Sequence, residues 1–171
     1  MKNVLILCTG NSARSILGEA ILNRVGQGQF RAFSAGSHPK GAPNPLAIEL
    51  LQELGYPTNG LRSKSWDEFT NAGAPKIDLV ITVCSAAAGE ACPHFPGTPM
   101  RLNIPVYDPS DAPGGIADQR AAFRQAYDRL TAKITALVAL LAACPVPEDF
   151  GPEDFHKQFA AITALDSGLE R

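Results

Sequence analysis

Val4-Leu5-Ile6-Leu7-Cys8-Thr9-Gly10-Asn11-Ser12-Ala13-Arg14-Ser15 is the stretch on which the fold turns. Val4, Leu5, Ile6 and Leu7 form an unbroken apolar run, the pattern of a central parallel strand buried on both faces. A Cys-Thr-Gly-Asn-Ser turn follows at once. Ile16, Leu17, Ala20, Ile21 and Val25 then recur at helical spacing until Gly26 and Gly28 stop the helix. A strand passing through a short polar turn into a helix is the opening of an α/β unit.

Working outward, residues 30–33 predict a second short strand that ends at Ser34-Ala35-Gly36. Residues 45–54 predict a second helix with Gly55 as its stop, and residues 66–69 a helical turn in a loop-rich region. Residues 77–83 are the second strongly apolar run and lead into Cys84. Pro93, Pro96, Gly97 and Pro99 enforce an irregular loop. Residues 103–107 are expected to be the last strand, at a sheet edge because Pro105 has no N–H for a ladder. Asp108-Pro109-Ser110-Asp111 is turn chemistry. From Ile116 to Ala143, one face of a long helix carries Phe123, Tyr127, Leu130, Ile134, Leu137, Val138 and Leu141, and Cys144-Pro145-Val146-Pro147 ends it.

The alternation of strands and helices predicts an α/β fold: a four-stranded parallel sheet in the flavodoxin-like order 2-1-3-4, with helices on both faces. One domain is expected over residues 1–145, followed by a tail over 146–171 that holds one extra helix around residues 155–165. In this strand order the strand ending at Cys8 neighbours the strand ending at Cys84. Neighbouring strands lie about 4.8 Å apart, and ligands bind beyond the carboxyl ends of strands where the order reverses. The two sulfurs are therefore expected side by side at the ligand-binding edge.

Composition excludes several classes. With 45% hydrophobic and 19% charged residues, the chain of 171 residues is neither disordered nor fibrous. Fifteen Lys and Arg against 17 Asp and Glu give a net charge of −2, which offers no pull toward nucleic acid or an acidic membrane surface. No apolar run approaches the ~20 residues of a bilayer span, and Met1-Lys2-Asn3 followed by four apolar residues reads as a first strand rather than a leader. A cytoplasmic protein is expected. The four cysteines, Cys8, Cys84, Cys92 and Cys144, suit neither a disulfide framework nor a zinc site, because His38, His94 and His156 supply no paired spacing. No metal and no cofactor is assigned.

The chemistry concentrates in the first turn. A C-x5-R loop between a buried strand and a helix points successive backbone N–H groups inward, so Thr9, Gly10, Asn11, Ser12, Ala13, Arg14 and Ser15 form a cradle for an oxyanion. The planar fork of Arg14 grips two oxygens. Cys8, below a helix N-terminus and beside Arg14, is the expected thiolate nucleophile, with Ser15 as a hydrogen-bond donor to it. Gly10 and Asn11 suit the positive φ angles of such a loop.

This loop resembles that of low-molecular-weight protein tyrosine phosphatases and of the arsenate reductases that share their fold. The likeness to the reductases is closer and covers most of the first 110 residues. It rests on Ser12-Ala13-Arg14-Ser15, Phe33-Ser34-Ala35-Gly36-Ser37-His38-Pro39, Leu61-Arg62-Ser63-Lys64-Ser65-Trp66, Val83-Cys84 and Ala88-Gly89-Glu90-Ala91-Cys92-Pro93. The resemblance implies the low-molecular-weight phosphatase fold and reduction of arsenate to arsenite, with phosphate and sulfate as mimics and electrons from a thiol donor such as thioredoxin. Asp108-Pro109 matches both families and implies a carboxylic acid that protonates the departing oxygen, with Asp111 as a rival.

Within that resemblance the cysteines gain roles. A phosphatase of this kind has no use for a second cysteine at the end of the adjacent strand, whereas a reductase needs exchangeable thiols. The expected relay has Cys8 attack arsenic, Cys84 attack Cys8, and Cys92 attack Cys84, after which thioredoxin reduces the Cys84–Cys92 pair. On an intact helix residues 84 and 92 would be about 12 Å apart along the axis, and a disulfide needs its Cα atoms within roughly 7 Å. That segment must be looped, or must melt on oxidation, although Ala86-Ala87-Ala88 favours helix. Cys144 reads as structural. Two other functions stay open: a phosphatase acting on phosphotyrosine or a small phosphoester, and a non-catalytic oxyanion or redox sensor. Weak phosphatase activity is expected even where reduction is the biological task, because arsenate and phosphate share shape and charge.

The sequence also departs from the family. Leu102-Asn103-Ile104-Pro105-Val106-Tyr107 stands where related reductases tend to carry His-Trp-Gly, Ser110 follows Asp-Pro where phosphatases tend to carry an aromatic, and Ser85 follows Cys84 where an acid is frequent.

Overall fold

The computed structural model describes residues 1–84, 93–97, 99–143, 157 and 159–160. Its strands are β1 (Lys2–Cys8), β2 (Phe30–Gly36), β3 (Leu79–Thr82) and β4 (Met100–Asn103), and its long helices are α1 (Arg14–Val25), α2 (Pro45–Glu53) and α3 (Ile116–Ala143). The sheet order is β2-β1-β3-β4, and every pairing is parallel, as the alternating pattern predicts.

The apolar run of β1 is explained by its position. Val4, Leu5 and Ile6 are completely buried, because β1 is hydrogen-bonded on both edges and covered on both faces. Val4 and Ile6 belong to a core that includes Ile16, Leu17 and Ile21 of α1, Leu50 and Leu51 of α2, and Phe123, Leu130 and Ile134 of α3. Leu5 and Leu7 point the other way, into a smaller cluster with Ala35, Phe69, Ile77, Val80 and Phe95. Phe69 closes the short 3-10 turn Trp66–Phe69, capped by the Ser65 hydroxyl. Helix α1 lies very close to β1 at Gly18, where an added Cβ would stand 3.1 Å from Ile6 Cδ1.

Boundaries differ from expectation in three places. Strand β2 runs on through Ser34-Ala35-Gly36, and Gly36 also bridges to Ser65. Strand β3 is shorter than expected, although the amides just outside it still join the sheet: Asp78 N–H donates to Asn3 O and Val83 N–H to Leu7 O. The last strand is Met100–Asn103, not residues 103–107. Ile104 and Val106 N–H groups do donate to the Thr82 and Val83 carbonyls at 2.8 and 3.1 Å, but Pro105 between them has no proton to give. The strand itself carries the alternation of exposed Arg101, buried Leu102 and exposed Asn103.

Helix α2 starts at the Asn44 cap, whose Oδ1 accepts from Leu46 N–H, with Pro45 at the first helical position. Helix α3 spans the residues its pattern predicts. Beyond it, Lys157, Phe159 and Ala160 are helical, and Phe159 joins the main core. The rest of the expected tail helix, Cys144, Cys92 and the Ala86-Ala87-Ala88 segment lie outside the described residues. Among the described residues no helix is long and apolar enough to cross a membrane.

Leu130 is fully buried where α3 crosses α1. Leu130→Ala is expected to lower unfolding stability by about 2–5 kcal/mol, read as a shift in urea midpoint with unchanged slope.

Candidate active site

Strand β1 ends at Cys8 and α1 begins at Arg14, so residues 9–13 form the turn on the carboxyl edge of the sheet, and with Cys8 and the first helical residues Arg14 and Ser15 they make up the 8–15 loop. Helix α1 starts without a side-chain cap: Ala13 in the cap position has no side-chain acceptor, and the first turn holds no acidic residue. The first amides of a helix need partners from outside it, and an oxyanion is a natural one.

The loop is held open by its surroundings. His38 N–H donates to Thr9 O, Lys40 N–H to Gly10 O and Asn44 N–H to Ser12 O, at 2.9, 2.9 and 2.8 Å. These bonds turn three carbonyls outward, away from any bound anion. Gly36 lies beneath, and a Cβ there would stand 2.8 Å from Cys8 O and closer still to Thr9 O. Asn11 takes a positive φ of 40°, as the sequence predicts for it, whereas Gly10 does not take the positive φ expected of it.

Cys8 is buried at 3% exposure. Its Sγ accepts from Asn11 N–H at 3.2 Å and meets Ser15 Oγ at 2.9 Å. Arg14 lies partly buried, with one terminal nitrogen on Val106 O at 3.1 Å and the other on the Asp108 carboxylate. Its Nε is buried and has no hydrogen-bond partner among the described residues, which leaves one N–H of the fork for a ligand. Asp108, a quarter exposed, is thus drawn to the loop by Arg14, and its other oxygen caps Ser110 N–H. Asp111 is exposed, so of the two rival carboxylates the structure brings Asp108 to the site.

Cys84 follows β3 and is 4% exposed. Its sulfur lies 3.8 Å from the Thr9 hydroxyl, so the second cysteine does reach the nucleophile loop. No disulfide joins Cys8 to Cys84. Thr9, Gly10, Ser12 and Ala13 lie between β1 and α1 and Ser15 in the first turn of α1, and Thr9 contacts Cys84.

Below the loop the structure brings together Asn11, Glu19 and Ser34, three of the four residues, with Asp67, that match the potassium site some members of the resembled family carry, and adds Lys64 to them. The Asn11 amide donates to Ser15 Oγ at 2.9 Å and to Ser34 Oγ at 3.0 Å, and Asn11 Oδ1 accepts from Lys64 N–H at 2.7 Å. Ser34 donates to the Glu19 carboxylate, and Lys64 Nζ stands 3.7 Å from the same carboxylate. Burial pushes the Glu19 carboxyl above its ordinary range while the Lys64 ammonium draws it back. Burial pushes Lys64 below its ordinary range while Glu19 opposes the shift. Ser34 and Gly36 had one visible signal, their place at a strand end facing the loop; Lys64 had none beyond the stretch that resembles the family. Among the described residues no three His, Cys, Asp or Glu side chains cluster as metal ligands.

A 2-1-3-4 parallel sheet that carries a cysteine–arginine oxyanion loop at the switch between β1 and β3 defines a phosphatase-type P-loop protein. A family model for low molecular weight phosphotyrosine protein phosphatase matches residues 3–144, and the chain belongs to that family. An arsenate reductase of Halalkalibacterium halodurans is 32% identical over 133 residues, which is 78% of this chain and 92% of the relative. The solved structure of an arsenate reductase in the phosphate binding state superposes with a TM-score of 0.62 at 25% identity, covering 81% of this chain and 98% of that one. The thioredoxin-dependent arsenate reductase of Corynebacterium glutamicum has the same fold, with a TM-score of 0.58 at 22% identity over 82% of this chain and 63% of its own.

Gly36→Ala is expected to leave the helical circular dichroism intact while weakening phosphate binding about ten-fold or more, because the crowded Cys8 and Thr9 carbonyls must shift. Equilibrium binding of inorganic phosphate, measured by titration calorimetry, reads this directly.

Proposed function

We propose that the chain reduces arsenate to arsenite by a relay of cysteines. The observation that carries this reading is the buried sulfur of Cys84 beside Thr9, at the rim of a loop whose own nucleophile is Cys8. Curated relatives named arsenate reductase support it.

The cradle amides and Arg14 hold the arsenate oxygens. The Cys8 thiolate attacks arsenic, an S–As bond forms, and one oxygen leaves as water after Asp108 supplies its proton. Ser15 steadies the sulfur meanwhile. The Cys84 thiolate then attacks Cys8 Sγ. An S–S bond forms, the S–As bond breaks, and its electron pair stays on arsenic, which leaves as arsenite. Cys92 attacks Cys84 next, which frees Cys8 as a thiol and passes the disulfide to the Cys84–Cys92 pair. Reduced thioredoxin returns the two electrons by thiolate exchange. A cytoplasmic setting, where thioredoxin is reduced, fits this chemistry.

A phosphatase is the second reading, favoured by the Cys8, Arg14 and Asp108 constellation, which is all such an enzyme needs. A sensor that binds oxyanion without turnover is the third. Cys84→Ser separates them. Arsenate reduction with thioredoxin, its reductase and NADPH is expected to fall by about 100-fold or more, while hydrolysis of p-nitrophenyl phosphate stays within about two-fold. Undiminished arsenate turnover in this variant would overturn the relay. Disulfide mapping by mass spectrometry after one arsenate turnover without reductant is expected to find Cys84 bonded to Cys92 and Cys8 as a thiol; a Cys8-free enzyme that still turns over arsenate contradicts the scheme.

A further inference from the structure

Gly10 is not among the glycines with a positive φ, so its missing side chain serves another purpose. A Cβ there would stand 3.2, 3.4 and 3.5 Å from Cε, Cγ and Cδ of Lys40. Three methylenes of one lysine therefore lie along the second residue after the nucleophile, in space that a side chain at position 10 would contest.

The backbone that carries this stem is tied to the loop as well. Lys40 N–H donates to Gly10 O at 2.9 Å. Ser63 Oγ donates to the same carbonyl at 3.4 Å and accepts from Gly41 N–H at 3.2 Å. A lysine that rests its methylenes on a surface and leaves its head in water is ordinary. Here the surface is the oxyanion loop itself.

The charges around the loop show what the ammonium is for. Arg14 pairs with Asp108, Lys64 stands against Glu19, and Arg62 pairs with Glu68. Each of these cations has a carboxylate of its own. Lys40 is exposed, and among the described residues nothing engages its Nζ. A nucleophilic Cys8 acts as a thiolate, which adds negative charge at the bottom of the site. The chain as a whole carries a net charge of −2, so its long-range field does not favour an incoming anion.

We infer that Lys40 is the steering cation of the loop: laid along Gly10, its unpaired ammonium draws small, doubly charged tetrahedral oxyanions into the cradle. It is a specificity residue that acts through its charge and not by touching the reacting atoms. Such a charge raises the local concentration of the opposite ion, and its effect fades as salt is added. The inference rests on the loop being an oxyanion cradle, as the proposed function requires, and holds for arsenate and phosphate alike.

The test uses inorganic phosphate and the full chain, as wild type, Lys40→Met and Lys40→Arg. Methionine keeps an apolar stem and removes the charge; arginine restores the charge. The Kd for phosphate is measured by titration calorimetry at about pH 8, in roughly 20 mM and roughly 500 mM salt. In Lys40→Met it is expected to rise about five-fold at low salt and to lie within about 1.5-fold of wild type at high salt. Lys40→Arg is expected to stay within about two-fold of wild type in both. No loss in Lys40→Met overturns the inference, and so does a loss that is equal at the two salt concentrations, which marks a packing role.

A second readout carries its own control for a variant with a loosened loop. Cys8 is alkylated by iodoacetate, which is an anion, and by iodoacetamide, its neutral counterpart, and peptide mass spectrometry follows each rate at Cys8. The ratio of the iodoacetate rate to the iodoacetamide rate is expected to fall about two- to three-fold in Lys40→Met at low salt and to return in Lys40→Arg. Loosening of the loop shifts both rates together, so an unchanged ratio refutes the proposal. A wild-type chain that binds no phosphate defeats the oxyanion cradle and this inference with it. A chain that shows the Lys40 effect yet reduces no arsenate defeats the reductase reading alone.

Discussion

An anion can sit in the loop of residues 8–15 only if the oxygens of that loop are kept away from it. The constraint is met by three backbone bonds, from His38, Lys40 and Asn44 to the carbonyls of Thr9, Gly10 and Ser12. A peptide plane whose oxygen is drawn outward turns its N–H inward. The sheet supplies the position of the loop, α1 supplies its uncapped end, and the crossing from β2 to α2 supplies the grip. Gly36 makes the arrangement possible, since its lack of a side chain lets β2 pass directly beneath Cys8 and Thr9.

What was legible in the sequence was whatever local chemistry dictates. Four buried residues in a row, Val4 to Leu7, leave little choice but a central strand, and Gly10 and Asn11 before a helical repeat leave little choice but a turn that opens a helix. The strand order followed from the alternation of elements. The end of the chain's last strand was misplaced because Ile104 and Val106 are buried and β-branched, yet Pro105 prevents them from forming a regular ladder. Lys64 was illegible for another reason. It stands between two serines in a polar stretch that reads as surface, and its burial comes from Asn11, 53 residues earlier, and from Glu19 on α1. No window of sequence contains that geometry.

The two thiols show how a parallel sheet assembles chemistry from distant segments. Cys8 and Cys84 are 76 positions apart in the chain. Each simply follows a buried strand, and the pairing of Leu7 with Thr82 brings both strand ends to one edge. The side chain of Thr9 reaches Cys84 while its carbonyl is held by His38. The arrangement therefore needs no special turn or insertion to place a second thiol near the first; it needs adjacent parallel strands whose register brings Leu7 opposite Thr82.

The close seat of α1 on β1 at Gly18 sets a mechanical condition for all of this. A helix lying against Ile6 with no side chain between them behaves as a short stiff lever, pivoted in the core and tipped by the amides under the sulfur. One methyl group at the pivot, about a turn from the tip, would press on Ile6 Cδ1 at 3.1 Å, whereas an equal change on the outer face of α3 would meet only solvent. Tolerance to mutation across this molecule is thus graded by leverage as much as by burial.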